Sequence, residues 1–128
     1  MIIGIGTDLT EIDRVRSLLA RPKVGERFLC RVLTVSERQA AEVKSQRLAE
    51  FVAGRFAAKE AVVKALGCGI GQAVGFQDIE VLADPAGRPV CTLSPAARRR
   101  LNLEEAAILH VSITHSSSMA SAFAVAEV

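Results

Sequence analysis

Residues 55–71 read RFAAKEAVVKALGCGIG, and their reading decides how the rest of the chain is placed. Through Leu66 the stretch is rich in alanine and long side chains, with no proline, which is helical composition. Gly67 fits the left-handed position that closes a helix. Glu60 and Lys64 are four residues apart, as are Arg55 and Lys59, so each pair falls on one helix face. Upstream, Leu48, Phe51, Val52 and Phe56 continue the apolar pattern that Val62, Val63 and Leu66 complete, predicting a long helix from about Gln46 to Leu66. Gly54 inside it costs about 1 kcal/mol relative to alanine and so marks the close approach of another segment. Further glycines at 69, 71 and 75 make a loop. A carboxylate, a set of cations and a glycine loop together suit a phosphorylated ligand with a metal.

Composition sets the frame around this helix. The 128 residues suffice for one domain, 1–128. Half are apolar, yet there is no Trp or Tyr and only five Phe. The core is therefore built from Val, Leu, Ile and Ala, and such a small domain gains from oligomerisation. A net charge of +2 is too mild to argue for nucleic acid. Between Glu11 and Arg31, however, six basic residues face three acidic ones. Charge alone favours an ordinary solvated face there over a docking patch for an acidic partner. Cys30, Cys68 and Cys91 are widely spaced and form no zinc pattern, as expected of free thiols in a reducing cytosol. The opening MIIGIGTDLT lacks the basic start of a signal peptide. No run reaches the roughly 18 apolar residues of a membrane span. The expectation is a soluble, cytoplasmic protein with no membrane or nucleic-acid partner.

In chain order, residues 1–8 predict a buried strand ending at Thr7-Asp8. A capping box from Thr10 to Asp13 then opens a helix that Pro22 stops near Arg21. That places Asp8 at a strand–helix junction. Residues 24–33 predict a short helical turn, and Ser36 an N-cap for a helix over 37–45. Beyond the glycine loop, Phe76–Leu82 and Pro89–Leu93 predict antiparallel strands around the Asp84-Pro85-Ala86-Gly87 turn. Ser94-Pro95 opens a short helix to about Leu101. Ile108–Thr114 alternates, with Leu109, Val111 and Ile113 on one side, and a Ser116–Ser118 turn leads to a strand over Met119–Val125. The fold class is α+β: a single compact domain with a small antiparallel sheet packed against a long helix.

Asp8 and Glu60 are the candidate metal carboxylates. Two carboxylates suit Mg²⁺, which completes its shell with water and substrate phosphate. The glycines match neither a phosphate loop of the Walker type nor a dinucleotide fingerprint. Ser112 and Ser116–Ser118 lie near His110 and His115, so a Ser–His arrangement is compatible with composition, but no nucleophile elbow accompanies it.

The segments GIGTDLTEIDR, FVAGRFAAKEAVVKALG, GFQDIEV, LSPAA and HVSITHSSSMASAFAV, in this order and spacing, resemble the holo-[acyl-carrier-protein] synthases, the small single-domain 4′-phosphopantetheinyl transferases. The resemblance covers essentially the whole chain. It implies transfer of 4′-phosphopantetheine from coenzyme A to a serine of an apo acyl carrier protein, releasing adenosine 3′,5′-bisphosphate. Asp8 and Glu60 would hold Mg²⁺, with Glu60 and Lys64 as the catalytic pair and Lys64 beside the CoA pyrophosphate. Arg55 and His115 match positions tied to CoA phosphates. Gly67 would border the pantetheine or diphosphate, and Pro89 the adenine. A water or hydroxide held at Glu60 and the metal, or less readily Glu60 itself, would take the serine proton. The resemblance also reweights the basic stretch: Arg14, Arg16 and Arg21, with Phe28, become docking residues for an acidic carrier. It further implies a homotrimer with CoA sites between subunits, and a place in fatty acid biosynthesis. The rival readings are a non-catalytic nucleotide-binding or carrier-binding module with the same fold and a metal-dependent phosphohydrolase.

Overall fold

The elements run β1 (Ile2–Glu11), α1 (Ile12–Leu19), α2 (Pro22–Val32), α3 (Val35–Val43), α4 (Leu48–Ala65), β2 (Ile79–Ala83), β3 (Pro89–Leu93), α5 (Pro95–Arg100), β4 (Ile108–His115) and β5 (Met119–Glu127). This computed structural model describes residues 1–128, the side chain of Ser45 excepted. One antiparallel sheet has the order β1-β5-β4, and β2-β3 is a separate hairpin. The α+β expectation holds, with two sheets rather than one.

α4 is the central element, with eleven of its eighteen residues buried. It lies on the β1-β5-β4 sheet along a seam of very small side chains. A Cβ at Gly4 would overlap the Ala65 carbonyl, and one at Gly6 the Ala61 carbonyl. From β5, Ala120, Ala122, Ala124 and Ala126 complete the sheet side of the seam, all fully buried. With no large aromatics on this face, close approach of backbones replaces side-chain volume. Gly54 marks a close approach too, since a Cβ there would lie 3.1 Å from Ile113. Gly67 takes φ +78° and closes the helix as expected.

Several boundaries differ from expectation, each for a local reason. β1 does not end at Asp8; its pairing with β5 continues to Glu11 opposite Met119, so Asp8 sits within the strand. The Thr10–Asp13 box does not form: the N-cap of α1 is Glu11, with no side-chain bond, and the Thr10 hydroxyl donates to Asp8 instead. Pro22 opens α2 rather than merely stopping α1, and residues 22–32 form a full helix. The N-cap of α3 is Thr34, not Ser36, in a reciprocal box with Glu37. α4 begins at Leu48 after a 3-10 turn at Ser45–Arg47. Phe76–Asp78 is also a 3-10 turn, so the strand starts at Ile79.

Lys59 and Glu37 are fully buried and paired at 2.6 Å. The Lys59 ammonium also donates to the carbonyls of Val32 and Phe76. Glu37 accepts from the amides of Thr34 and Val81. Lys59 therefore leaves the ring of cations suggested by the helix and becomes part of the interior. Burial lowers its pKa, against the opposing pull of Glu37. Removing one partner of such a pair strands the other charge, at a cost of about 3–5 kcal/mol.

Among the described residues no helix packs on the other face of the β1-β5-β4 sheet. Ile5, Ile108 and Phe123 stand on it, each more than half exposed.

Candidate active site

Strand alternation puts Asp8 on the same side of β1 as Gly4 and Gly6, which meet α4 at Ala65 and Ala61. Asp8 thus descends onto the helix beside the Glu60 turn. Lys64, one turn beyond Glu60, donates to the Thr7 carbonyl at 2.9 Å and to Asp8 Oδ1 at 3.3 Å. Asp8, Glu60 and Lys64 therefore meet, as expected. The pKa of Glu60 is raised, first by burial and then by the charge of Asp8, while Lys64 pulls it down.

This arrangement fits a magnesium ion. Two hard carboxylate oxygens converge from a strand and a helix, and their mutual repulsion is only partly offset by an exposed lysine. Among the described residues no cluster of three metal-ligating side chains occurs. Mg²⁺ commonly takes one or two carboxylates and fills its shell with water and phosphate.

Glu60 also lines a cleft of about 280 Å³ with Arg31, Val32, Phe56, Ile70 and Phe76. Phe28 lines it too and packs against Phe56 with tilted rings, their centroids 6.0 Å apart. Phe28 and Arg14 share an adjoining cleft of about 490 Å³ with Leu9 and Met119. Arg21 borders Arg14 on the far side. Arg16 is less free than its neighbours, being paired with Asp13 and Glu50.

Arg55 and His115 lie elsewhere. Both line a third cleft, about 500 Å³, together with Lys44, Arg47 and Gly87. Glu60 stands five positions after Arg55, which turns them about 140° apart around α4. Within the chain, Arg55 and His115 therefore stand apart from Asp8 and Glu60. Arg55 stacks on Phe51 at 4.4 Å and donates to the Val81 carbonyl. Burial lowers its pKa, against the pull of Glu37. Pro89 begins β3, two residues past Gly87, at the edge of this cleft rather than in its lining. Gly67 is exposed at the end of α4, its amide on the Lys64 carbonyl. Lys44 and Arg47 were not marked by the sequence. Their only signal is that Arg47 stands eight residues, about two turns, before Arg55. The thiols stay out of both groups, and burial pushes the Cys91 pKa up to about 12.

A model of the 4′-phosphopantetheinyl transferase superfamily matches residues 4–126. The holo-[acyl-carrier-protein] synthase of Geobacillus kaustophilus is 48% identical over 128 residues, 99% of this chain and 90% of that protein. That of Bacillus subtilis is 48% identical over 130 residues, 99% of this chain and 97% of the relative. The chain belongs to the holo-[acyl-carrier-protein] synthase family. Solved structures agree. The Neisseria meningitidis holo-[acyl-carrier-protein] synthase superposes with TM-score 0.88 at 35% identity, covering both chains fully. The Bacillus anthracis holo-(acyl-carrier-protein) synthase, determined in complex with CoA (3′,5′-ADP), gives TM-score 0.82 at 44% identity over 99% of this chain and 97% of that one. Membership in the synthase family makes the chain a phosphopantetheinyl transferase, with coenzyme A and an acyl carrier protein as its substrates.

Proposed function

We propose that phosphopantetheine transfer takes place where Asp8 and Glu60 hold Mg²⁺, and that a second copy of the chain completes each site. The observation that carries this is the convergence of Asp8 and Glu60, with the Glu60 carboxyl raised by burial and by its neighbour. When bound, the ion would neutralise charge on the CoA diphosphate and on the leaving group.

The chain's own groups do the rest. Lys64 sets a cation beside the carboxylates, where the diphosphate would lie. Arg55 and His115, with Lys44 and Arg47, bind the remaining CoA phosphates. The carrier docks on α1 and α2 through Arg14, Arg21 and Phe28, with Arg16 contributing less because it is already paired. Docking there leads the carrier serine toward Glu60. Its hydroxyl oxygen bonds to the pantetheine-bearing phosphorus as the anhydride P–O bond breaks. Adenosine 3′,5′-bisphosphate departs, and the serine proton passes to a base at Glu60. Gly67 and Pro89 border the CoA path.

The 140° separation of Arg55 and Glu60 supports a site shared between copies. The bare apolar sheet face supports a partner copy, and a closed homotrimer satisfies both. Work in the cytoplasm, in fatty acid biosynthesis, belongs to the same reading. Among the described residues no helix is long and apolar enough to cross a membrane.

The test is a mass-shift assay with several apo carriers, CoA and Mg²⁺. A phosphopantetheine adduct is expected, and its absence with folded protein overturns the reading. A second arm mixes inactive Arg55→Ala and Glu60→Gln chains and lets subunits exchange. Partial return of activity is expected; none at all would place the whole site in one chain.

A further inference from the structure

The walls of the Glu60 cleft come from three separate segments of the chain. Arg31 and Val32 belong to α2, Phe56 and Glu60 to α4, and Ile70 and Phe76 to the glycine-interrupted stretch after it. Lys59 precedes Glu60 directly, so its side chain leaves the helix about 100° away from that of Glu60, into the interior. It is fully buried.

An ammonium has three N–H donors, and all three are engaged. One goes to the Val32 carbonyl at 2.6 Å, one to the Phe76 carbonyl at 2.9 Å, and one to Glu37 Oε1 at 2.6 Å. Val32 and Phe76 both line the cleft. The Val32 carbonyl lies in the last turn of α2, where carbonyls lack helical partners and favour a cation. Glu37 is in turn held by the Thr34 and Val81 amides at 2.8 and 2.7 Å. The strut is thus anchored at both ends, and no donor remains for a ligand.

We infer that Lys59 is a positioning residue for the transfer: it fixes the α2 and Phe76 walls relative to Glu60 and touches neither CoA nor carrier. This rests on the reading of Glu60 as part of the reaction centre, which Glu60→Gln tests separately.

Two measurements test the role of Lys59. In the wild-type protein, reductive methylation followed by mass spectrometry should modify exposed lysines such as Lys44 and Lys64 and spare Lys59, with or without CoA. Methylation of Lys59 that CoA suppresses would make it a ligand contact and overturn the inference. The second compares Lys59→Met, an apolar residue of similar length, and Lys59→Gln, which keeps two N–H donors. Both are assayed per folded molecule at a temperature where circular dichroism shows native structure. The expected kcat of Lys59→Met is about 10- to 100-fold lower, with affinity for adenosine 3′,5′-bisphosphate within about twofold of wild type. Lys59→Gln should lose less. Wild-type kcat per folded molecule would overturn the inference. Failure of both variants to fold would reduce Lys59 to a fold determinant and overturn it equally.

Discussion

Glu60 is held in a state that costs the fold something. Its carboxylate is partly buried beside Asp8, and both raise its pKa, so the folded protein disfavours its charge. Glu60→Gln should therefore melt slightly higher than wild type at neutral pH in chelator, by calorimetry, while transfer falls by about 10²-fold or more. Added Mg²⁺ with CoA should stabilise wild type and not the variant. Retained activity at saturating Mg²⁺ would remove Glu60 from the centre. Arg14 belongs to a different encounter. Arg14→Glu reverses a charge on the α1 cleft without approaching Arg55 or His115, so the carrier KM should rise severalfold, more steeply at low salt. Equal loss of CoA affinity would deny it a docking role. The residues themselves were legible to very different degrees. Asp8, Glu60 and Lys64 were marked by their place in long matching segments. Lys59 was misread as one of the ligand cations because its partner, Glu37, lies 22 residues away on another helix, and no local spacing encodes such a pair.

At the scale of elements, the segment after α4 shows how a glycine-rich stretch is kept in place. Asp78 accepts from the Gly75 amide, the Ser94 hydroxyl and Arg100, and Arg100 also donates to the Ala73 carbonyl. Burial would raise the Asp78 pKa, but those bonds and the Arg100 charge outweigh it, and the net shift is downward. A carboxyl whose folded pKa is depressed adds stability above its ordinary pKa, about 3.9, and loses it as pH falls through the lower folded value. Asp78→Asn should thus lower the melting temperature at pH 7, and the gap should close on acidification below about pH 4. A constant gap would mean that the charge is not what matters. Element existence was largely readable from periodicity and turn chemistry, as the Asp84–Gly87 turn and the Ser94 cap illustrate. Element ends were not. β1 overruns Asp8 because β5 offers it partners to Glu11, and the Thr34 cap prevails over Ser36 because Glu37 can reach back to it. Both outcomes depend on neighbours rather than on propensity.

For the whole molecule, one sheet face is packed and the other bare, and the two groups of site residues point in different directions. If a second copy covers the bare face, Phe123→Lys should dissociate the assembly in sedimentation velocity and abolish transfer, although Phe123 lines none of the clefts described. An active, monomeric Phe123→Lys protein would confine the site to a single chain. The division of the site was legible only in outline, because sequence spacing shows which residues share a helix face and not which copy answers them. The glycine and alanine seam between α4 and the sheet has a consequence for how this protein tolerates change. In most cores the damaging substitutions are truncations, which leave holes. Here the interior is already at minimum size along Gly4, Gly6, Ala57, Ala61 and the four alanines of β5, so nearly every replacement adds atoms. A saturation library should show intolerance to enlargement along this line, with even Gly6→Ala depleted, while Val and Leu positions elsewhere accept smaller side chains more readily.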